Sequence, residues 1–82
     1  MYEVRLEPPV KRFLKKLDSE DQLRIIKKLR GLEKNLELGK PLIGNLSGLW
    51  SLSFGKFRAL SQIRSGELLI LVLKLGHKKN IY

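Results

Sequence analysis

The sequence of 82 residues has no cysteine, one histidine and one tryptophan, and its 8 acidic residues are outnumbered by 17 basic ones. Without cysteine there are no disulfides, thiol nucleophiles or thiolate metal sites, and a reducing compartment suits the chain. A single histidine and no His-Glu-x-x-His pattern leave no convergent ligand set, so neither a metal nor a cofactor is expected. No glycine-rich phosphate loop is present. Glu3, Arg5 and Glu7 interrupt any apolar leader after Met1. The longest uninterrupted apolar run, Leu68 to Leu73, falls far short of the roughly 20 residues that span a bilayer. These absences predict a soluble cytoplasmic protein that does not engage the membrane.

What is present is charge, with a formal net +9. So small a body tolerates that self-repulsion most readily when its working partner is a polyanion, nucleic acid being the first candidate and an anionic membrane or acidic protein the second. Eleven of the 17 basic residues lie within the first 40 positions. The length accommodates one domain, residues 1–82, with a core of modest stability.

Tyr2, Val4 and Leu6 alternate with Glu3 and Arg5, the period of a half-buried strand. Pro8 and Pro9 end it and suit a helix start, because proline's missing N–H is one that a first turn leaves unpaired anyway. Val10, Phe13, Leu14 and Leu17 then recur at helical spacing. Asp18 to Asp21 places a cap and acidic residues at the start of a second helix. That helix is expected to run about 17 residues, with Leu23, Ile26, Leu29, Leu32 and Leu36 as its apolar stripe, Ile25 beside it, and Gly39 and Pro41 as its stop. Residues 40–48 read as a loop.

The second half changes period. Trp50, Leu52 and Phe54 alternate with Leu49, Ser51 and Ser53; Gly55 and Lys56 suit a two-residue hairpin turn; Phe57, Ala59, Ser61 and Ile63 alternate with Arg58, Leu60, Gln62 and Arg64. Pairing Phe54 with Phe57 sets Ser53 against Arg58 and Ser51 against Leu60. Ser65 and Gly66 suggest a second tight turn into a central strand from Glu67 to Leu75. In that register Leu68, Ile70 and Val72 share Trp50's face, while Leu69, Leu71 and Leu73 share Arg58's. The fold class is α+β, in the order βααβββ: a two-helix hairpin on one face of a small, largely antiparallel sheet.

Chemistry must come from cations on the other face, Arg58 and Arg64, and from the tail with His77, Lys78, Lys79 and Tyr82. Singly, each is as ordinary as a solvated surface residue. Gathered around a sheet face, they can hold a phosphate backbone and stabilise the negative charge that develops when a 2′-hydroxyl attacks phosphorus. A histidine or tyrosine could move the protons.

The run Leu49-Trp50-x-Leu-x-Phe54-Gly55-x-Phe57-Arg58-Ala59-Leu60-x-Gln62-Ile63, followed by the ending Gly76-His77-Lys78-Lys79-Asn80-Ile81-Tyr82, resembles the RelE/ParE toxin superfamily. The N-terminal strand, the Val-x-x-Phe-Leu-x-x-Leu helix and the longer basic helix extend the likeness over nearly the whole chain. The resemblance implies the toxin of a type II toxin–antitoxin system. RelE members cut mRNA in the ribosomal A site without metal; ParE members share the fold and inhibit DNA gyrase. Carried over, Arg58 matches the arginine of the family's YRxxY-like strand, His77 and Lys78 match the GHR ending, and Tyr82 matches the terminal tyrosine. These four are the implied catalytic residues of a ribosome-dependent endoribonuclease. Lys11, Lys15, Arg24, Lys27, Lys28, Arg30, Arg64 and Lys79 would contact RNA phosphates.

The departures are Ser51 and Ser53, where RelE-like nucleases carry Lys or Arg, and Ser61, where an aromatic residue is usual. Each lost cation weakens transition-state stabilisation by about 10²-fold or more, so an attenuated nuclease, a ParE-like gyrase inhibitor and a catalytically silent antitoxin-binding relative stay open as alternatives. Leu60, Leu69, Leu71 and Leu73 would form an exposed apolar stripe, a candidate surface for a small acidic RelB-like antitoxin in a heterodimer or heterotetramer, unless Ile81 and Tyr82 fold over it.

Overall fold

The first strand, β1 (Glu3–Leu6), keeps its expected alternation, with Val4 and Leu6 half-buried and Glu3 and Arg5 exposed. In the structure, a computed structural model describing residues 2–35, 39–44 and 48–80, β1 lies parallel to the last strand, pairing Val4 with Ile70 and Leu6 with Val72. The Glu7 N–H extends this pairing to the Val72 carbonyl at 3.0 Å.

Helix α1 (Pro8–Lys15) begins on its two prolines and buries Val10 and Leu14. Helix α2 (Ser19–Arg30) is capped by Asp18, whose carboxylate accepts from the Asp21 N–H at 2.8 Å. Glu20 and Asp21 lie in its first turn and Lys27, Lys28 and Arg30 in its last, each sign at the favourable pole of the helix dipole. Gln22 ties the helices together by donating to the carbonyls of Leu14 and Leu17 at 2.8 and 2.9 Å.

α2 is shorter than its apolar spacing suggests. It ends at Arg30 and tightens into a 3₁₀ turn, Gly31–Glu33. Glycine at position 31 disfavours continuation of the α-helix by about 1 kcal/mol, and the tightened turn sets Leu32 into the core. The buried stripe is Ile25, Leu29 and Leu32, while Leu23 is largely exposed. Leu36, expected at the end of the stripe, lies outside the described residues.

Residues 40–48 are not entirely loop. β2 (Lys40–Pro41) pairs antiparallel with Ser51 and Trp50 of β3 (Leu49–Phe54). Gly39 permits this approach, since a Cβ there would lie 3.1 Å from the Ser51 carbonyl oxygen. β3 and β4 (Phe57–Arg64) form the expected hairpin, Ser53 opposite Arg58 and Ser51 opposite Leu60, around Gly55 at φ +58°. Positive φ at the first central residue alone is what a II′ turn needs, and glycine supplies it without strain.

The second connection corrects the tight turn expected at Ser65–Gly66. Ser65–Glu67 form a 3₁₀ turn, and Leu68, in the left-handed region at φ 51°, is exposed outside the strand rather than sharing Trp50's face. β5 (Leu69–His77) then runs between β1 and β4, giving the order β1-β5-β4-β3-β2, in which β5 is an interior strand and β4 the central one.

β5 is not regular. Ser61 pairs with Val72 but Leu60 pairs with Lys74, so Leu73 is the extra residue of a β-bulge. Beyond it the alternation flips: Leu75 and His77 oppose Ala59 and Phe57 on the helix side, while Lys74 and Gly76 oppose Leu60 and Arg58 on the other. The core lies between the helices and Leu52, Phe57, Ala59, Ile70, Val72 and Leu75. On the far face Leu60, Leu69 and Leu71 are only 4, 6 and 7% exposed and Leu73 is half-buried. The expected open apolar stripe is therefore corrected: Leu60, Leu69 and Leu71 are buried in the chain by itself, and of the four Leu73 alone is partly open.

Candidate functional site

Arg58 reaches the far face from the middle of the β3–β4 hairpin. It is half-buried, opposed on one side by Ser53 and on the other by Gly76, which adds no side chain. Its Nε donates to the Ser53 Oγ at 3.2 Å. The guanidinium is thus oriented by its neighbour, and its planar fork is of the shape that contacts a phosphate through two parallel hydrogen bonds. The next row across the sheet is Lys40, Ser51, Leu60 and Lys74. Neither lysine was singled out from the sequence. Lys40 needed the short β2 pairing to be seen, and Lys74 needed the bulge, which apolar alternation alone does not reveal.

The register places one carboxylate on the far face of the described strands, Glu3 on the edge strand, already bridged to Arg5 at 3.2 Å. Around Arg58 the described residues supply positive charge and hydroxyls rather than a strong proton acceptor. Among the described residues no three His, Asp or Glu side chains stand together as a metal site would require.

His77 does not join Arg58. It sits across from Phe57 on the helix side, its ring 5.3 Å from Phe57 and 5.8 Å from Phe13 between centroids. The bulge is the reason, since it turns position 77 away from the face on which an unbroken strand would put it. Ser61 is likewise on the helix side, buried against Trp50 and Val72 as cross-strand neighbours, and so does not stand for a missing group beside Arg58.

The tail continues as a turn beside the hairpin end. The Lys78 N–H donates to the Lys56 carbonyl at 3.0 Å and the Asn80 N–H to the His77 carbonyl at 2.9 Å. Lys56, His77, Lys78, Lys79 and Asn80 line a pocket of about 460 Å³. Tyr82 and Ile81 lie outside the described residues.

The helix cations Lys11, Lys15, Lys27, Lys28 and Arg30 are all exposed, on helices that cover the face opposite Arg58. They form a second basic surface rather than an extension of the first. Arg24, also exposed, lies 3.3 Å from Glu20 and 3.8 Å from Asp21, which compensate part of its charge. Arg64 is similarly placed 3.8 Å from Glu67. No helix among the described residues is long and apolar enough to cross a membrane.

Comparison with known proteins identifies this arrangement. The family described as the ParE toxin of the type II toxin-antitoxin system, parDE, matches residues 4–82. None of the curated proteins is matched by sequence at significance. Among solved structures, a chain of the RelBE2 toxin-antitoxin complex from Mycobacterium tuberculosis is 28% identical with a TM-score of 0.84, the match covering 94% of this chain and 98% of that one. A chain of the archaeal RelE-RelB complex from Pyrococcus horikoshii superimposes with a TM-score of 0.77 at 20% identity, over 96 and 97% of the two chains. One from the intact E. coli RelBE complex gives 0.75 at 15%, over 94 and 96%. With the family matched over nearly the whole of this chain and the fold of two helices on a five-stranded, mostly antiparallel sheet shared, the chain belongs to the RelE/ParE superfamily as a toxin of the type II toxin–antitoxin kind.

Proposed function

We propose that this toxin is a RelE-type, ribosome-dependent mRNA endoribonuclease of the cytoplasm, metal-independent and attenuated in its cutting. The observation that carries the reading is Arg58, half-buried and oriented by Ser53 on a face with little negative charge. In this reading Arg58 binds the scissile phosphate and stabilises its developing charge, and Lys78 and Lys79 hold the backbone from the tail turn. The proton-transfer role falls to Tyr82, since His77 faces the other way. The exposed cations of α1 and α2 dock on ribosomal RNA. Ser51 and Ser53 leave the transition state with less charge than two lysines would give, which accounts for the attenuation.

The solved relatives are toxin-antitoxin complexes. A small acidic RelB-like antitoxin, bound as a heterodimer or heterotetramer, is the partner that a +9 chain calls for. The ParE description of the matched family favours a second reading, gyrase inhibition without catalysis. The deciding experiment maps mRNA ends by primer extension in a translating extract, using this chain, Arg58→Ala and the Ser51→Lys, Ser53→Lys double variant. Cleavage lost in the first variant and raised in the second supports the nuclease. No cleavage by any of the three, together with inhibited DNA supercoiling, overturns it in favour of gyrase.

A further inference from the structure

Position 51, where the resemblance leads one to expect a cation, carries serine, yet its row on the sheet is not short of charge. Lys40 is the direct cross-strand partner of Ser51 on one side; Leu60 is its partner on the other, and Lys74 is the partner of Leu60. Two exposed lysines thus flank the uncharged position in a single row. Neighbouring strands are about 4.8 Å apart, so the two backbone positions are about 14 Å apart. Arg58 belongs to the adjacent row and to the strand beside Lys74, a diagonal neighbour at about 7–8 Å. Lysine stems are long enough to bring both ammonium groups over Leu60 towards Arg58.

Resting on the nuclease reading above, we propose that Lys74 and Lys40 bind the single-stranded RNA backbone at phosphates on either side of the one held by Arg58. The positive charge that β3 lacks in this row is carried instead by β2 on one side of it and by β5, beyond β4, on the other. The bulge at Leu73 is the device on β5, because it turns Lys74 onto the Arg58 face while returning Leu75 to the core. Charge complementarity singles out the occupant. Among the described strand residues of this face the one carboxylate, Glu3, is at the far edge and bridged to Arg5, so an extended polyanion crossing the row meets the exposed Lys40 and Lys74 on either side of Leu60 and no strand carboxylate between them. Phosphate contacts of this kind position a strand without reading its bases.

The test is the salt dependence of binding of a fluorescently labelled single-stranded RNA oligonucleotide to the full chain, by anisotropy. Lys74→Gln and Lys40→Gln are each expected to reduce the slope of log affinity against log salt by about 0.7, and the double variant by about 1.4, as for lost single-strand phosphate contacts. Lys74→Arg restores the slope, and Lys16→Gln on the helix side leaves it unchanged. Slopes unaltered in the two glutamine variants, or altered equally by Lys16→Gln, overturn the proposal. Binding needs no ribosome, so a reduced slope combined with absent mRNA cleavage upholds these contacts while rejecting the nuclease, and the two failures are distinguished.

Discussion

Arg58 and His77 stand on opposite faces of the sheet although β4 and β5 are neighbours: Arg58 opposes Gly76, and His77 opposes Phe57 one position on. Arg58 is oriented by Ser53, whereas His77 packs its ring against Phe13 and Phe57. His77 packs at the rim of the core, and on the proposed nuclease reading Arg58 meets the phosphate. Arg58→Ala is therefore expected to lower cleavage by about 10²-fold or more, as loss of a transition-state donor does. His77→Ala should leave cleavage within a few-fold and lower stability by about 1 kcal/mol through the lost aromatic contacts. Single-turnover cleavage beside thermal unfolding separates the two. A loss of cleavage in His77→Ala equal to that in Arg58→Ala would show that the histidine reaches the reacting phosphate.

The bulge makes a second, purely structural prediction. Leu75 belongs to the core at 6% exposure, while Leu73, the extra residue, is half-buried. Leu75→Ala should destabilise by about 2–5 kcal/mol, the range for truncating a buried leucine. Leu73→Ala should cost distinctly less, because water already reaches that position. Urea unfolding midpoints at constant slope measure both. The reverse order would mean that β5 runs through without its bulge.

Much of this architecture was legible in the residues, and what was not has identifiable physical causes. The β3–β4 register followed from Gly55-Lys56 and from a pairing that keeps both apolar faces in agreement, each reinforcing the other. The two helix starts followed from Pro8-Pro9 and Asp18, whose chemistry is local. The end of α2 did not follow, because leucine spacing continues past Gly31 although the helix does not. The bulge was hidden because Leu69 to Leu73 is apolar at every position, so no alternation records a slip of one residue. For the candidate site, Arg58 and Ser53 were legible as a cross-strand pair. Lys74, Lys40 and the true face of His77 depended on long-range register.

The turn between the helices offers a test of local chemistry. Asp18 satisfies the Asp21 N–H, and Gln22 satisfies two carbonyls at the end of α1. Asp18→Ala should lower stability by about 1 kcal/mol, while Asp18→Asn, which keeps the cap, should retain most of it. Gln22→Ala should lower it by a similar amount, about 1 kcal/mol, since the exchange removes both side-chain hydrogen bonds, although the Leu14 carbonyl keeps the Leu17 N–H at 3.1 Å. Chemical denaturation resolves changes of this size, and an unaltered midpoint in Asp18→Ala would show that the cap contributes nothing.

Restoring charge to β3 should carry a penalty that the present sequence avoids. Ser53 accepts from Arg58, so Ser53→Lys removes a hydrogen bond and sets a like charge directly across the pair. Ser51→Lys likewise places an ammonium opposite Lys40. Opposed like charges on paired strands destabilise by about 0.2–1 kcal/mol each, and the lost hydrogen bond adds about 1 kcal/mol. The double variant should therefore unfold at lower denaturant concentration while binding single-stranded RNA with a slope steeper by about 1.4. Both shifts relax if Lys40→Gln and Lys74→Gln are added, because the lysine at position 51 then no longer shares its row with two further ammonium groups, and the one at position 53 faces only Arg58. A double variant that gains affinity with no loss of stability would show that Arg58 does not depend on Ser53 for its placement.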